Sequence, residues 1–494
     1  MKNLILKIVL ILLLPVTVFS QTIIPGGNIS GTWTIGNSPF TVQGNLTIVA
    51  GSTLIIEPGV EIIVQGNYRF LVKGVINAEG TAEAPISFSK HIPGPGWEGL
   101  RFENAYSGSQ LSHCIFQYGN ASGGFPDNVG GAIYITGNAP AIQHCVFRYN
   151  VASYGGAIFS IASSPVIEQC VFYGNASGNN GGAIILKGGN PKVYHCTFYD
   201  NSADGGGAIA LEFCNAYIQN SIFFMNDGYG AIYPDQYSDD AQIKYCDFSQ
   251  NLNGDVTGYK PTDFGIINNQ NNNGDPSDIY FNIFLDPLFS NYGNEDFTLT
   301  ASSPCRDAGN PILGNDPDGT LPDMGAFYFA AQPMQTIEIP EGWSGISSYM
   351  LPQNSDIEQV LAPIINELVI IYNDDGVFWP QGGLNSLEFW DPNKAYIIKT
   401  NAQTELSMDG SLNNNNTLLL NAGWNLLPVL TNCEVSTSTI NNAIGESVVI
   451  IREIAGTKVF WPEAGVSTLE QLIPGKAYSI YVLDETSLEF PTCE

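Results

Sequence analysis

GGAIYITGNAPAIQHCVFRYN (Gly130–Asn150), GGAIFSIASSPVIEQCVFYGN (Gly155–Asn175), GGAIILKGGNPKVYHCTFYDN (Gly181–Asn201) and GGAIALEFCNAYIQNSIFFMN (Gly206–Asn226) are four copies of one unit. A worn fifth copy runs from Gly230 to Asn251, and a looser earlier one starts at Cys114-Ile-Phe116 with Asn120. The closing Asn recurs every 25 or 26 residues. One such unit cannot bury its own apolar face, so a period of this length implies a solenoid. Short apolar triplets cut by Gly and Asn read as strands and tight turns, and each unit is then one coil of a parallel β-helix. Ile142, Ile167, Val193, Ile218 and Ile243 are expected to form one inward ladder. Phe147, Phe172, Phe198, Phe223 and Phe248 are expected to form another. Each closing Asn is placed at a corner, in left-handed backbone, bonded to the next Asn.

Repeated GGAI followed by FxxN is similar to the repeats of the polymorphic outer-membrane proteins and of right-handed parallel β-helix surface proteins. The resemblance implies a right-handed helix. It implies little about activity, because that scaffold carries lyases, hydrolases, adhesins and passenger domains alike.

Composition agrees with a turn-rich β protein: 494 residues, 53 Gly, 29 Pro and 13% charged residues. The net charge of −30 opposes nucleic acid and other polyanions. Met1–Ser20 carries Lys2 and Lys7, then an apolar run and Val18-Phe19-Ser20, the pattern of a secretory signal. No later run is long and apolar enough for a transmembrane helix. The protein is therefore expected to be exported, either secreted or at the cell surface. Cys114, Cys145, Cys170, Cys196 and Cys246 share one coil position, where Ser221 replaces a sixth. That substitution favours a buried thiol ladder over disulfides.

The organisation read from the sequence is all-β. A signal peptide (1–20) precedes a parallel β-helix (21–331), which divides into entry coils (22–110), regular repeats (111–251) and terminal coils with a cap (252–331). Gly96-Trp97-Glu-Gly99 resembles the start of many bacterial right-handed β-helices, with Trp97 packed over the first coils. Asp286-Pro-Leu-Phe289, Ser303-Pro-Cys305 and Pro322-Asp-Met-Gly325 resemble the terminal coils of that group. Two duplicated β-rich modules follow (337–415 and 416–494). Gly342-Trp343 matches Gly423-Trp424, Phe378-Trp379-Pro380 matches Phe460-Trp461-Pro462, and Lys394-Ala-Tyr396 matches Lys476-Ala-Tyr478. Ile357–Ile365 and Ser467–Leu472 are read as short helices. Trp379 and Trp461 are read as core residues.

Chemistry concentrates in few places. Tyr173, Tyr199 and Phe224 are expected to stack on the outside of consecutive coils, as a platform for sugar or protein or as a stack beneath a loop. Arg148 lies in the same series, and only Arg69, Arg101 and Arg306 join it in the β-helix region. A lyase needs a cationic base and a calcium-loaded cleft, which this supply serves poorly. His113, His144 and His195 share a position with Gln169, Asn220 and Tyr245, so a polar ladder is preferred to a metal site. Asp316, Asp318 and Asp323 form a weak calcium candidate, with turn formation preferred. No catalytic residue or cofactor is assigned. The function read is a non-catalytic, adhesin-like protein that contacts glycan or protein, with a polysaccharide lyase or epimerase and a surface-layer or filament subunit as the alternatives.

Overall fold

The computed structural model describes residues 21–238, 240–330 and 333–493, so the expected signal peptide lies outside the described residues. The chain divides into two compact units, Met1–Ala330 and Ala331–Glu494.

The first unit is a solenoid of three long parallel sheets with ten, nine and nine strands, with a fourth, four-stranded parallel sheet beside the regular coils. Sheet A carries Val146–Arg148, Val171–Tyr173, Thr197–Tyr199, Ile222–Phe224 and Asp247–Ser249. Sheet B carries Ile133–Thr136, Ile158–Ile161, Ile184–Lys187 and Ile209–Glu212. Sheet C carries Ala141–Gln143, Val166–Glu168, Lys192–Tyr194, Tyr217–Gln219 and Gln242–Lys244. The registers pair Phe147 with Phe172, Phe172 with Phe198 and Phe198 with Phe223. Both expected ladders form. The Phe rings lie parallel with centroids 4.7, 4.9 and 4.9 Å apart, within the range of favourable offset stacking. Trp97 sits inside this core, against Phe70 and Phe88, and donates Nε1–H to the carbonyl of Gln117 at 3.0 Å.

The corners differ from the expectation by one residue. Left-handed backbone falls on Tyr149, Gly174, Asp200, Met225 and Gln250, each immediately before its Asn. The turn so made aims the Asn inward, where Asn150, Asn175, Asn201 and Asn226 are fully buried. Their Nδ2 groups donate to the next Oδ1 at 3.0, 2.9, 3.0 and 3.1 Å, ending on Asn251. Each Nδ2 also caps a Phe carbonyl of the preceding coil, as Asn175 does to Phe147 at 2.9 Å. The first Gly of each GGAI has positive φ. The second lies so close to the next coil that a Cβ on Gly156 would meet the Gly182 carbonyl at 2.1 Å. The ladder cysteines are buried free thiols, as expected.

The last coil is closed by Val256, Phe264 and Phe284. The chain then runs back over the outside of sheet A, where Phe289, Phe297, Leu299, Cys305 and Met324 pack.

The second unit holds two antiparallel modules with separate cores. Each has a five-stranded sheet of the same strand sequence. The first is Gly342–Ile346, Tyr396–Thr400, Leu368–Tyr372, Val377–Trp379, Leu384–Asn385. The second is Gly423–Leu427, Tyr478–Val482, Val448–Glu453, Val459–Trp461, Val466–Ser467. Ile357–Leu361 is helical, capped by the Asp356 carboxylate. Ser467–Leu472 is not helical: Val466–Ser467 and Gln471–Leu472 are strands, and the second module's helix is Thr437–Ile444. Ser436 caps it, and the Thr, Ser and Asn within it are weak helix formers that supply no apolar period, which hides the helix in the sequence. A disulfide joins Cys433 to Cys493.

Candidate functional site

On sheet A, Phe147 and its equivalents point inward, so the flanking residues point out. Tyr173, Tyr199 and Phe224 are in register, as expected. They are not an exposed platform. Tyr173 and Phe224 are buried and Tyr199 is partly buried, because the returning chain lies on them. Phe297 packs against Tyr173 and Tyr199 with ring centroids at 5.4 and 5.3 Å, and Tyr292 and Phe289 meet Phe224 at 5.2 and 5.8 Å. The stack-beneath-a-loop alternative describes this row.

Arg148 holds the rim of that cover. Its guanidinium donates to Gln117 Oε1 at 2.7 Å, Tyr173 Oη at 2.8 Å and Glu295 Oε2 at 2.7 Å. Tyr149 Oη adds a bond to Glu295 Oε1 at 2.9 Å. Burial alone raises the Glu295 carboxyl. The hydroxyls of Tyr173 and Tyr149 and the Arg148 charge outweigh it and hold the group below the usual carboxylate range. The other three arginines are also engaged. Arg69 pairs with Asp127. Arg101, on the outside of sheet B, is buried beneath the 123–129 loop and donates to the carbonyls of Val129 and Asp127. Burial lowers its guanidinium to about 10. Arg306 donates to the Ala301 carbonyl and lies 4.2 Å from the Phe329 ring.

The acidic loop serves the backbone. Asp323 accepts from the N–H of Asp307 and Phe329, Asp316 accepts from Asp323 N–H at 2.8 Å, and Asp318 accepts from Thr320 N–H at 3.1 Å. Burial and the neighbouring Asp323 and Asp318 carboxylates push Asp316 up to about 6. His113 and His144 stack at 4.6 Å, and His195 bonds Asn220. All three occupy left-handed corners along with Gln169, Asn220 and Tyr245. Among the described residues, no cluster of three His, Cys, Asp or Glu is arranged to hold a metal, and no helix is long and apolar enough to cross a membrane.

The outer row of sheet B is likewise covered, since Tyr134, Phe159, Ile185 and Ala210 form a small core with Val129. Sheet C differs. Its outer rows run Ala141, Val166, Lys192, Tyr217, Gln242 and Gln143, Glu168, Tyr194, Gln219, Lys244, all partly or well exposed.

The largest departure from the sequence reading lies in the modules. Trp379 and Trp461 are surface residues, 43% and 42% exposed, and Trp343 and Trp424 are 44% and 53% exposed. Strand alternation sends Phe378 inward and turns Trp379 out. Cross-strand pairing sets Trp343 beside Lys399, Lys399 beside Ile370 and Trp379 beside Leu384. The Ile371–Phe378 pair brings Trp379 alongside Ile370, which completes one row across the sheet. The second module repeats it with Trp424, Tyr481, Ile450, Trp461 and Val466. Around the first Trp, Lys399 lies 5.5 Å over the ring with Tyr372 edge-on at 6.1 Å. In the second module Arg452 lies 4.5 Å over the ring with Tyr481 edge-on at 5.4 Å. The aromatic and the cation have exchanged positions.

Residues 131–275 match the family model described as a right handed beta helix region, which gives the solenoid its handedness. No curated protein matches the chain.

Proposed function

We propose that this is an exported, surface-located, non-catalytic binding protein whose β-helix contacts glycan or protein along sheet C. The observation that carries this reading is the division of the solenoid's outer surface. Over the regular coils, sheets A and B have their outer rows covered by the chain itself, whereas sheet C is bare. Its coils present Lys192 and Tyr217 side by side, with Tyr194 in the adjoining row. A flat strand-spaced face with alternating polar and aromatic groups suits an extended ligand lying along the axis. The engagement of Arg69, Arg101, Arg148 and Arg306 in structural contacts also removes the arginines as the free cationic base that a lyase needs. Glycan-array and cell-surface binding by the Tyr194→Ser, Tyr217→Ser double variant tests it. Binding is expected to fall with little change in thermal unfolding, since both side chains are partly or well exposed. Unchanged binding, or production of unsaturated sugars from uronic-acid polymers with calcium, overturns it.

A further inference from the structure

We propose that the two stripes of the C-terminal modules that carry the exposed tryptophans are paired binding sites for an uncharged glycan. Exposed apolar residues scattered singly need no explanation, but rows of large apolar groups, broken by a charge here only at Lys399, mark contact surfaces. Four of the seven tryptophans in the chain lie in these two rows, at the first and fourth places of each. The duplication within the chain makes the point sharper. Lys399 has become Tyr481 and Tyr372 has become Arg452, yet the indoles keep their register. Residues that merely face water are free to drift, and these four have not drifted.

The geometry suits a sugar chain. Trp343 and Trp379 lie on strands three places apart, ~14 Å at usual strand spacing. The indole of Trp379 rests on Gly382, where an added Cβ would meet the ring at 2.4 Å, so one side of the ring is backed by the chain while the residue stays 43% exposed. An indole offers a rigid apolar plane to the C–H face of a pyranose. Beside Trp379 a shallow groove displays Glu358, Gln359 and Asn385, and in the second module a groove bounded by Pro462 and the stripe residue Tyr481 displays Asn441, Asn442 and Glu446. Carboxylates and carboxamides are partners for sugar hydroxyls. They repel a polyanion, as does the net charge of −30, and the nearby cations already stack on indoles. An uncharged chain is therefore the occupant that fits. Two sites on one protein bind a polymer more tightly than an oligosaccharide of the same sugar.

The test is calorimetric titration of the purified protein with soluble xylan, mixed-linkage glucan and galactomannan, with polygalacturonate as the charged comparator. At least one neutral polymer is expected to bind and shift tryptophan emission. Trp379→Ala or Trp461→Ala alone is expected to weaken polymer binding about tenfold or more, and the pair together to abolish it. Melting temperature should stay constant because the rings are exposed. If these variants do shift melting, Trp343→Ala with Trp424→Ala supplies the second pair. The proposal is overturned if no neutral polymer binds, if polygalacturonate binds as tightly, or if the paired Trp variants bind like the parent. Loss of binding only in the Tyr194, Tyr217 variant would also overturn it while leaving the sheet C reading intact.

Discussion

The guanidinium of Arg148 meets the carboxylate of Glu295 at 2.7 Å, although 147 residues separate them in sequence. This contact fastens the returning chain over sheet A and explains why a row of rings that looks like a platform in the sequence is roofed in the fold. Both side chains are partly exposed, so the pair is worth about 0.2–1 kcal/mol. Arg148→Ala should therefore leave the solenoid folded and increase limited proteolysis between residues 286 and 329. The Glu295 carboxyl lies below its unfolded-state value of about 4.3, so its contribution is present at neutral pH and disappears as pH falls through the depressed pKa. Glu295→Gln should remove that acid-dependent loosening, which hydrogen exchange of the segment would show.

The covered rings are structural. Phe224→Ser should destabilise the first unit by about 3–5 kcal/mol, since it empties a fully packed position. Tyr199→Ser should cost less, because Tyr199 is only partly buried. Equal and negligible effects on thermal unfolding would mean that the returning chain does not seal this row.

Asn175→Ala is expected to cost about 3 kcal/mol or more. It strips the acceptor from the Asn150 N–H and Nδ2 and the donor from the Phe147 carbonyl, all buried. Each orphaned buried group costs about 1–3 kcal/mol. Chemical denaturation would measure the loss.

Asp316, raised to about 6, gives the opposite pH sign to Glu295. Its folded-state value exceeds the unfolded one, so the folded form binds the proton more tightly. Stability from this group is greatest below about pH 4 and is lost as pH rises through 6. Asp316→Asn should raise the melting temperature at pH 8 and leave it unchanged at pH 4. Millimolar calcium should not shift the transition, because backbone N–H groups already occupy these carboxylates.

Reduction should act on the second module alone. The Cys433–Cys493 bridge closes 60 residues, and its loss should cost about 4 kcal/mol on chain-entropy grounds. The seven free thiols are buried and should resist alkylation until the solenoid unfolds.

The inward half of the solenoid was legible because the repeat places Phe147, Phe172 and Phe198 at one phase, and strand stacking then dictates their contacts. The outward half was not. Alternation says that Tyr173 leaves the core, but whether solvent or chain receives it depends on Phe297, more than a hundred residues away. The helix Thr437–Ile444 escaped because caps and β-propensity residues carry no apolar period. Trp379 was misplaced because Val377-Phe378-Trp379 offers two large rings and a strand buries only alternate ones. Phe378 took the inward position.

The asparagine ladder has a consequence for growth. Every carboxamide from Asn150 to Asn226 hands its hydrogen to the following coil in the same direction, and Asn251 passes the last to Asp255 Oδ1 at 3.1 Å. Within this ladder an interior coil is interchangeable with its neighbour: excising one leaves every carboxamide donor facing an acceptor. As far as the ladder is concerned, length is a quantised property of the rod, adjustable by unequal crossing-over of the gene in steps of roughly 4.8 Å, and it is the chain returning over sheet A that has to be re-registered.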